Sequence, residues 1–229
     1  MRTLCIDIGG TGIKGMVLNE EATPLTERIR IRTPHPATPE AILHAVDEVI
    51  KKLIEFDRVS VGFPGVVTDG ITRTAPNLGP AFKDFTLADE LARRIGVPVR
   101  VINDAGLQGF GVIEGKGTEI LVTLGTGLGF ALFINGHYVP NIELAHHPLR
   151  KNKTYEERVN NEVRKKLGKQ KWNKRVLQAI NQITPIFNYR KLYLGGGNAR
   201  YVDKTTLPEN VTIVDNETGL RGGVRLWAF

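Results

Sequence analysis

Near the middle of the chain, Val101-Ile102-Asn103-Asp104-Ala105-Gly106 sets an amide and a carboxylate side by side, where an apolar strand gives way to small residues. A carboxylate at the carboxyl end of a strand in an α/β sheet stands where general bases are found, because the crevice beyond the strand ends admits a ligand. The same residues fit a helix N-cap, in which Asp104 does no more than accept a backbone N–H. Two glycine-rich turns weigh toward chemistry. Ile8-Gly9-Gly10-Thr11-Gly12 precedes the pair, and Leu124-Gly125-Thr126-Gly127-Leu128-Gly129 follows it. Backbone N–H groups unobstructed by side chains, with a threonine hydroxyl among them, are suited to phosphate oxygens. Asp7 at the mouth of the first turn is a carboxylate for Mg2+ held through water, and Lys14 adds a cation. The bland alternative for Gly9-Gly10 is a tight turn between strands.

The elements that must position these residues follow from pattern. Thr3 to Asp7 and Ile13 to Leu18 read as strands joined by the first glycine turn, and Thr26 to Arg32 as an edge strand. Thr38-Pro39 caps a helix whose apolar positions run from Ile42 to about Phe56. Val59 to Phe63 is a strand, and Val66 to Arg73 a hairpin turned at Asp69-Gly70. Thr86 is expected to cap a helix that Gly96 ends, and Val99 to Ile102 delivers Asn103 and Asp104. The pattern then restarts. Glu119 to Thr123 and Phe130 to Ile134 flank the second glycine turn, with Asn135-Gly136 a hairpin signal. Strand–GGTG–strand matched by strand–GTGLG–strand predicts two similar lobes facing one cleft. Thr154-x-x-Glu157 is a capping box opening a helix through Val159, Val163 and Leu167, stopped by Gly168. A further helix runs from about Trp172 to Phe187. Lys191 to Leu194 is a strand leading into Gly195-Gly196-Gly197 before a helix, Val211 to Val214 the last strand, and Thr218 to Trp227 the last helix.

Composition bounds the classes. The 229 residues carry a net charge of +7 and a single cysteine, Cys5, inside an apolar strand. That excludes internal disulfides and makes Cys5 a small buried hydrophobe. No apolar run approaches the roughly 18 residues of a membrane helix. Met1-Arg2-Thr3 leads directly into a strand, so no signal peptide is expected and the chain is expected in the cytoplasm. Between Arg150 and Arg175 stand eleven basic residues against Glu156, Glu157 and Glu162, so this segment alone exceeds the net charge of the whole. It is either a solvated helical face or a groove for a polyanion, with Lys165, Lys166, Lys169, Lys171, Lys174 and Arg175 the candidates.

Two stretches stay open on their residues alone. Glu143-Leu144-Ala145-His146-His147 is a metal site lacking an obvious third ligand, or a loop with surface histidines. Gly195-Gly196-Gly197 is a flexible loop, or a contact to a nucleotide.

In order, Asp7-Ile-Gly-Gly-Thr-Gly-Ile-Lys14, Asn103-Asp104, Thr123-Leu-Gly-Thr-Gly-Leu-Gly129, Glu143-Leu-Ala-His146 and Leu194-Gly-Gly-Gly197 resemble the ROK family of sugar kinases, and within it the polyphosphate glucokinases. The resemblance to the latter rests on Gly12-Ile-Lys-Gly15, Phe63-Pro-Gly-Val-Val67, Val139-Pro140 and Lys171-Trp-Asn-Lys-Arg175. It implies an α/β, two-lobed ribonuclease H-like fold of the actin/hexokinase-type ATPases, with the active site in the interlobe cleft. Residues 1–104 with the C-terminal helix 216–229 would form the small lobe, and 105–215 the large one. Asp104 would be the general base for the 6-hydroxyl of glucose or a related hexose. Asn77, Asn103, Glu143, His146 and Glu156 would bind other hydroxyls. Asp7, Gly9, Gly10, Thr11, Gly12, Lys14, Gly125, Thr126, Gly127 and Gly195–Gly197 would hold the phosphates of ATP or polyphosphate with Mg2+. A homodimer is implied.

Three departures stand out. The family's cysteine-rich zinc motif is absent, so no structural zinc is expected. Ala145 replaces the usual Gly of Glu-x-Gly-His, and Ala105-Gly106 follows Asp104, which leaves the identity of the hexose open. Alternatives are an ATP-dependent kinase for mannose, fructose or a glucosamine-type sugar, and a non-catalytic binder of polyanions or nucleic acid. The family's repressors carry a helix-turn-helix ahead of the first strand. Here that strand begins at Thr3, so no specific nucleic-acid partner is expected.

Overall fold

The computed structural model describes residues 1–215 and 218–228. The chain divides into two compact units: one runs through Gly111 and regains the C-terminal helix, and the other begins at Val112.

The first unit contains β1 (Thr3–Ile8), β2 (Ile13–Leu18), β3 (Ile29–Ile31), α1 (Pro39–Ile50), β4 (Arg58–Phe63), a small hairpin of β5 (Val67–Thr68) and β6 (Ile71–Thr72), α2 (Leu87–Ile95), β7 (Val99–Asn103) and α3 (Asp104–Phe110). Its sheet has the order β3-β2-β1-β4-β7. The first three strands are antiparallel, while β1, β4 and β7 are parallel. Strand alternation splits the side chains between two helical layers. Leu4, Ile6, Val59 and Val61 face a core with Ile42, Val46 and Val49 of α1 and Leu87 and Leu91 of α2. Burying each such side chain contributes roughly 1.5–3 kcal/mol. Cys5, Met16 and Leu18 face the other way, against Leu220 and Val224 of the C-terminal helix. Burial pushes the Cys5 thiol up to about 12, so it stays protonated and unreactive.

The second unit contains β8 (Thr118–Leu124), β9 (Leu128–Ile134), β10 (His137–Val139), a short hairpin of β11 (Pro148–Arg150) and β12 (Lys153–Thr154), α4 (Tyr155–Val159), α5 (Asn161–Phe187), β13 (Lys191–Gly195) and β14 (Val211–Ile213). The sheet order is β10-β9-β8-β13-β14, again three antiparallel strands continued by two parallel ones. Trp172, Val176, Ala179, Ile180 and Ile183 of α5 cover Ile120, Val122, Phe130 and Leu132. The C-terminal helix, α6 (Thr218–Arg225), packs on α3 and β1 in the first unit.

Several boundaries differ from expectation. Helix α1 stops at Ile50, yet Leu53 and Phe56 still pack on the same core from the segment beyond it, which prolongs the apolar pattern. The edge strand keeps only Ile29–Ile31, because Val17 N–H is taken by the Thr26 hydroxyl in place of a ladder carbonyl. Thr86 makes no side-chain cap bond. The capping box at Thr154 forms, but its helix ends at Asn160, whose side chain caps α5 in turn by accepting Val163 N–H. Gly168, at φ 73°, interrupts α5 where a stop was expected. A 3-10 turn at Ala199–Tyr201 follows the triple glycine in place of a helix. Helix α3 packs on β4 and α6, so it belongs to the first unit and not to the part beginning at residue 105. Positions 216, 217 and 229 of the expected C-terminal segment lie outside the described residues.

Candidate active site

In the first unit, strand register lines up Arg30, Lys14, Asp7, Gly62 and Ile102 in one row across the sheet. Directly paired residues project to the same face, so the three charged side chains share a surface. Lys14 Nζ donates to Asp7 Oδ2 at 2.6 Å. Arg30 lies against Gly12 and donates from Nη2 to the Thr11 carbonyl at 3.3 Å. The Thr33 hydroxyl holds the Gly9 carbonyl from the other side. Gly62, next in the row, leaves a gap that α3 occupies. A Cβ at Gly62 would stand 3.2 Å from Asp104 Cα and 3.0 Å from Leu107 Cδ2. Asp104 therefore lies over β4, the strand beside the one that carries Asp7, an offset of roughly 5 Å.

The capping question resolves in favour of Asn103. Its Oδ1 accepts Ala105 N–H at 2.9 Å and Gly106 N–H at 3.3 Å, while its Nδ2 donates to the Gly65 carbonyl at 3.1 Å. Asp104 is the first residue of α3, half-buried, with Oδ1 also accepting Ala105 N–H at 2.8 Å. Asn103, expected as a sugar ligand, is thus turned toward the protein at both ends of its amide. Asn77 is exposed and meets the first glycine turn, its Cβ 3.4 Å from where a Cβ of Gly10 would be.

In the second unit the glycine turn carries no charge of its own. Its Gly125 carbonyl accepts Asn161 N–H at 3.0 Å and Asn198 Nδ2 at 3.1 Å, which leaves Thr126 exposed at the tip. The carboxylate comes from α4. Glu156 Oε2 accepts Leu128 N–H at 3.0 Å and lies so close to Gly127 that any side chain there would collide with it. Glu156, expected at the sugar, thus stands against the turn expected to hold phosphate. Glu143 Oε2 and His146 Nε2 are 3.6 Å apart on a 3-10 turn packed against β9 and α4. Among the described residues no group of three His, Cys, Asp or Glu converges, so Glu-x-x-His gains no third metal ligand.

The triple glycine divides in its roles. Gly195 is buried at the end of β13, and Gly196, at φ 83°, sits where a Cβ would strike the Leu124 backbone. Only Gly197 is exposed with open space around it. Lys165, Lys166, Lys169, Lys171 and Lys174 are exposed on α5, and Arg175 is half-buried.

The sequence reading missed Arg30 and Thr33 at the first turn, and Arg164 and Asn198 at the second. Arg164 Nε donates to Asn198 Oδ1 at 3.0 Å, and its guanidinium lies 4.0 Å from the Tyr201 ring centroid. Arg30 had a signal, since it alternates with Arg28 and Arg32 in the expected edge strand. Asn198 had none beyond following three glycines.

For a divalent cation, Asp7 is the donor with suitable chemistry. Lys14 engages Oδ2 only, and Mg2+ is ordinarily held by one or two carboxylates together with phosphate oxygens and water. A single carboxylate beside a glycine-rich turn fits that mode. No helix among the described residues is long and apolar enough to cross a membrane.

Comparison with known proteins follows the same lines. The model of the ROK family matches residues 3–140. The polyphosphate glucokinase of Mycobacterium tuberculosis (strain H37Rv) is 34% identical over 220 residues, spanning 91% of this chain and 83% of that one. The crystal structure of the inorganic polyphosphate/ATP-glucomannokinase from Arthrobacter sp. strain KM superposes with a TM-score of 0.89 at 31% identity, covering 99% of this chain and 98% of that one. A glucokinase from Streptomyces griseus, solved with glucose and AMPPNP, shares the fold at a TM-score of 0.79 and 19% identity, over 99% of each chain.

Proposed function

The chain belongs to the ROK family, and from that premise we propose that it is a sugar kinase moving a phosphoryl group from inorganic polyphosphate, ATP or both to the 6-hydroxyl of glucose. The observation that carries this reading is the seat of Asp104 over Gly62, one strand from Asp7 and the first glycine turn. Asp104, the first residue of α3, supplies a carboxylate, a group able to accept a hydroxyl proton. Phosphoryl transfer asks chiefly for positioning and charge neutralisation. Asp104 orients the acceptor hydroxyl and takes its proton as the phosphoryl group departs from the donor. Backbone N–H groups of Gly10–Gly12 and of Thr126 and Gly127, with Lys14, hold donor oxygens, since the Gly9 and Gly125 N–H groups are donated within their own turns to the Gly12 and Gly127 carbonyls. Asp7 would hold Mg2+ through water, and the ion would supply charge neutralisation for those oxygens.

Glu143, His146, Asn77 and Glu156 keep their roles toward sugar hydroxyls in this reading, Glu156 through Oε1 while Oε2 stays on Leu128. Similarity to a glucomannokinase favours mannose as a second acceptor. The same reading makes the protein cytoplasmic and homodimeric, the latter checked by sedimentation.

The test is Asp104→Asn, which keeps the shape and removes the base. Its kcat is expected to fall about 10²–10⁴-fold, with sugar affinity nearly unchanged. Near-normal turnover would overturn the assignment.

A further inference from the structure

In the basic segment one guanidinium is partly withdrawn from solvent. Arg158, in the last turn of α4, has its Nε buried with no hydrogen-bond partner. Its Nη2 donates to Gln178 Oε1 at 3.2 Å. On α5, Arg175 precedes Gln178 by three residues, which puts both on the helical face that meets Arg158. Arg150 ends β11, a strand packed against α4. Burial, then the charges of Arg175 and Arg150, push the Arg158 pKa down.

Three guanidinium groups with no acid among them are unfavourable unless an anion joins them. The nearby acids are committed elsewhere. Glu156 is bonded to Leu128 N–H, and Glu157 closes the capping box on Thr154. None of the three arginines forms an ion pair among the described residues. Guanidinium forks match phosphate oxygens in geometry as well as charge.

We infer that Arg150, Arg158 and Arg175 form an anion site for a phosphate group of a linear polyphosphate chain, apart from the phosphoryl group being transferred. This rests on the kinase reading for its choice of ligand. Glu156, two residues before Arg158 on the same helix, touches the second glycine turn. Two residues apart on a helix means nearly opposite faces, so site and turn are separated by roughly the 10 Å width of a helix. A long polyanion spans that distance with several residues of its own chain.

The test compares two double variants of the full chain with equal loss of charge: Arg150→Gln with Arg175→Gln, and, outside the basic segment, Lys52→Gln with Lys83→Gln, both exposed. Tripolyphosphate binding is measured by calorimetry and by its shift of Tm, alongside the polyphosphate KM. The arginine pair is expected to weaken tripolyphosphate binding about tenfold or more, the loss of at least one charge-assisted hydrogen bond. The lysine pair is expected to change it by no more than about twofold, as for exposed, screened charge. Without added anion the arginine variant is expected to melt no lower than the parent, which separates lost binding from lost folding. Equal losses in both variants would overturn the site. So would a single-stranded oligonucleotide that binds as tightly as long-chain polyphosphate with the same arginine dependence. Arginine-dependent tripolyphosphate binding in a protein that phosphorylates no sugar would leave the site standing and remove the kinase reading.

Discussion

The two units build the same sheet, three antiparallel strands continued by two parallel ones, and each hangs a glycine-rich turn between its first two strands. They differ in where the charge at the turn comes from. In the first unit it is local: Asp7, Lys14 and Arg30 sit in one row on adjacent strands. In the second it is imported: Glu156 arrives on α4, and Asn161 and Asn198 fasten the Gly125 carbonyl from elements far along the chain. One scaffold thus carries two arrangements of polar groups. The first turn comes with its own carboxylate and cations, suited to metal and base chemistry, and the second presents amides whose posture depends on distant side chains.

The strands that launch the turns differ in the same sense, which gives the largest expected effect. Strand β1 has an apolar interior, whereas β8 carries Glu119, fully buried and bonded to the N–H groups of Glu114, Gly115 and Lys116 and to the Tyr193 hydroxyl. Burial raises the Glu119 pKa, but the backbone bonds from Glu114 and Lys116, the Tyr193 hydroxyl and the Gly115 bond together outweigh it and leave it lowered. A lowered folded pKa gives stability that is present above the ordinary glutamate range and lost as pH falls through the folded value. Glu119→Ala is therefore expected to destabilise the fold by about 3 kcal/mol, with several buried donors orphaned. Glu119→Gln is expected to flatten the acid side of the stability profile. Denaturant melts between neutral pH and pH 3 check both.

Asp7→Asn removes the local carboxylate of the first turn. It is expected to lower kcat about 10–100-fold, in line with loss of an outer-shell metal partner, and to raise the Mg2+ needed for half-maximal rate. Glu156→Ala removes the imported carboxylate, and its donor KM is expected to rise about tenfold as one charge-assisted hydrogen bond is lost, with the sugar KM rising as well through loss of Oε1. If Asp7→Asn changed only KM and Glu156→Ala only the Mg2+ requirement, the division of roles would be reversed.

The smallest effect separates two glycines of one turn. Gly127→Ala must displace the end of a flexible glutamate, whereas Gly125→Ala meets open space. The first is expected to raise donor KM about threefold and the second to leave it within error, since only the first disturbs a charge-assisted bond. Equal effects would mean that Glu156 plays no part in holding the turn.

The same contrast governs what could be read from sequence. Strand, glycine turn, strand is a local pattern, so both hairpins, the cap at Thr38 and the box at Thr154–Glu157 were legible from neighbours alone. Asp7, Lys14 and the Asn103-Asp104 pair were legible as candidates because the glycines, strand and small residues that mark them lie next to them in the chain. Which of Asn103 and Asp104 caps α3 was not, because it depends on Gly62 and Gly65, some forty positions away. Nor was the Glu156 contact to Gly127, or the anchoring of Gly125 by Asn198, since these pairings exist only once α4 and the loop after β13 have packed. The α1 boundary was overread for a related reason: Leu53 and Phe56 keep to the apolar pattern but reach the core from beyond the helix end.

The central claim is that this chain phosphorylates glucose with the carboxylate of Asp104 and phosphate cradled by glycine turns. It is tested most directly by measuring glucose 6-phosphate formation by the intact protein with Mg2+, offering long-chain polyphosphate and ATP in parallel. Turnover on the order of 1–100 s⁻¹ with at least one donor, abolished by a chelator and depressed at least a hundredfold in Asp104→Asn, is the expected result. No glucose 6-phosphate from either donor, or undiminished product from Asp104→Asn, would contradict it.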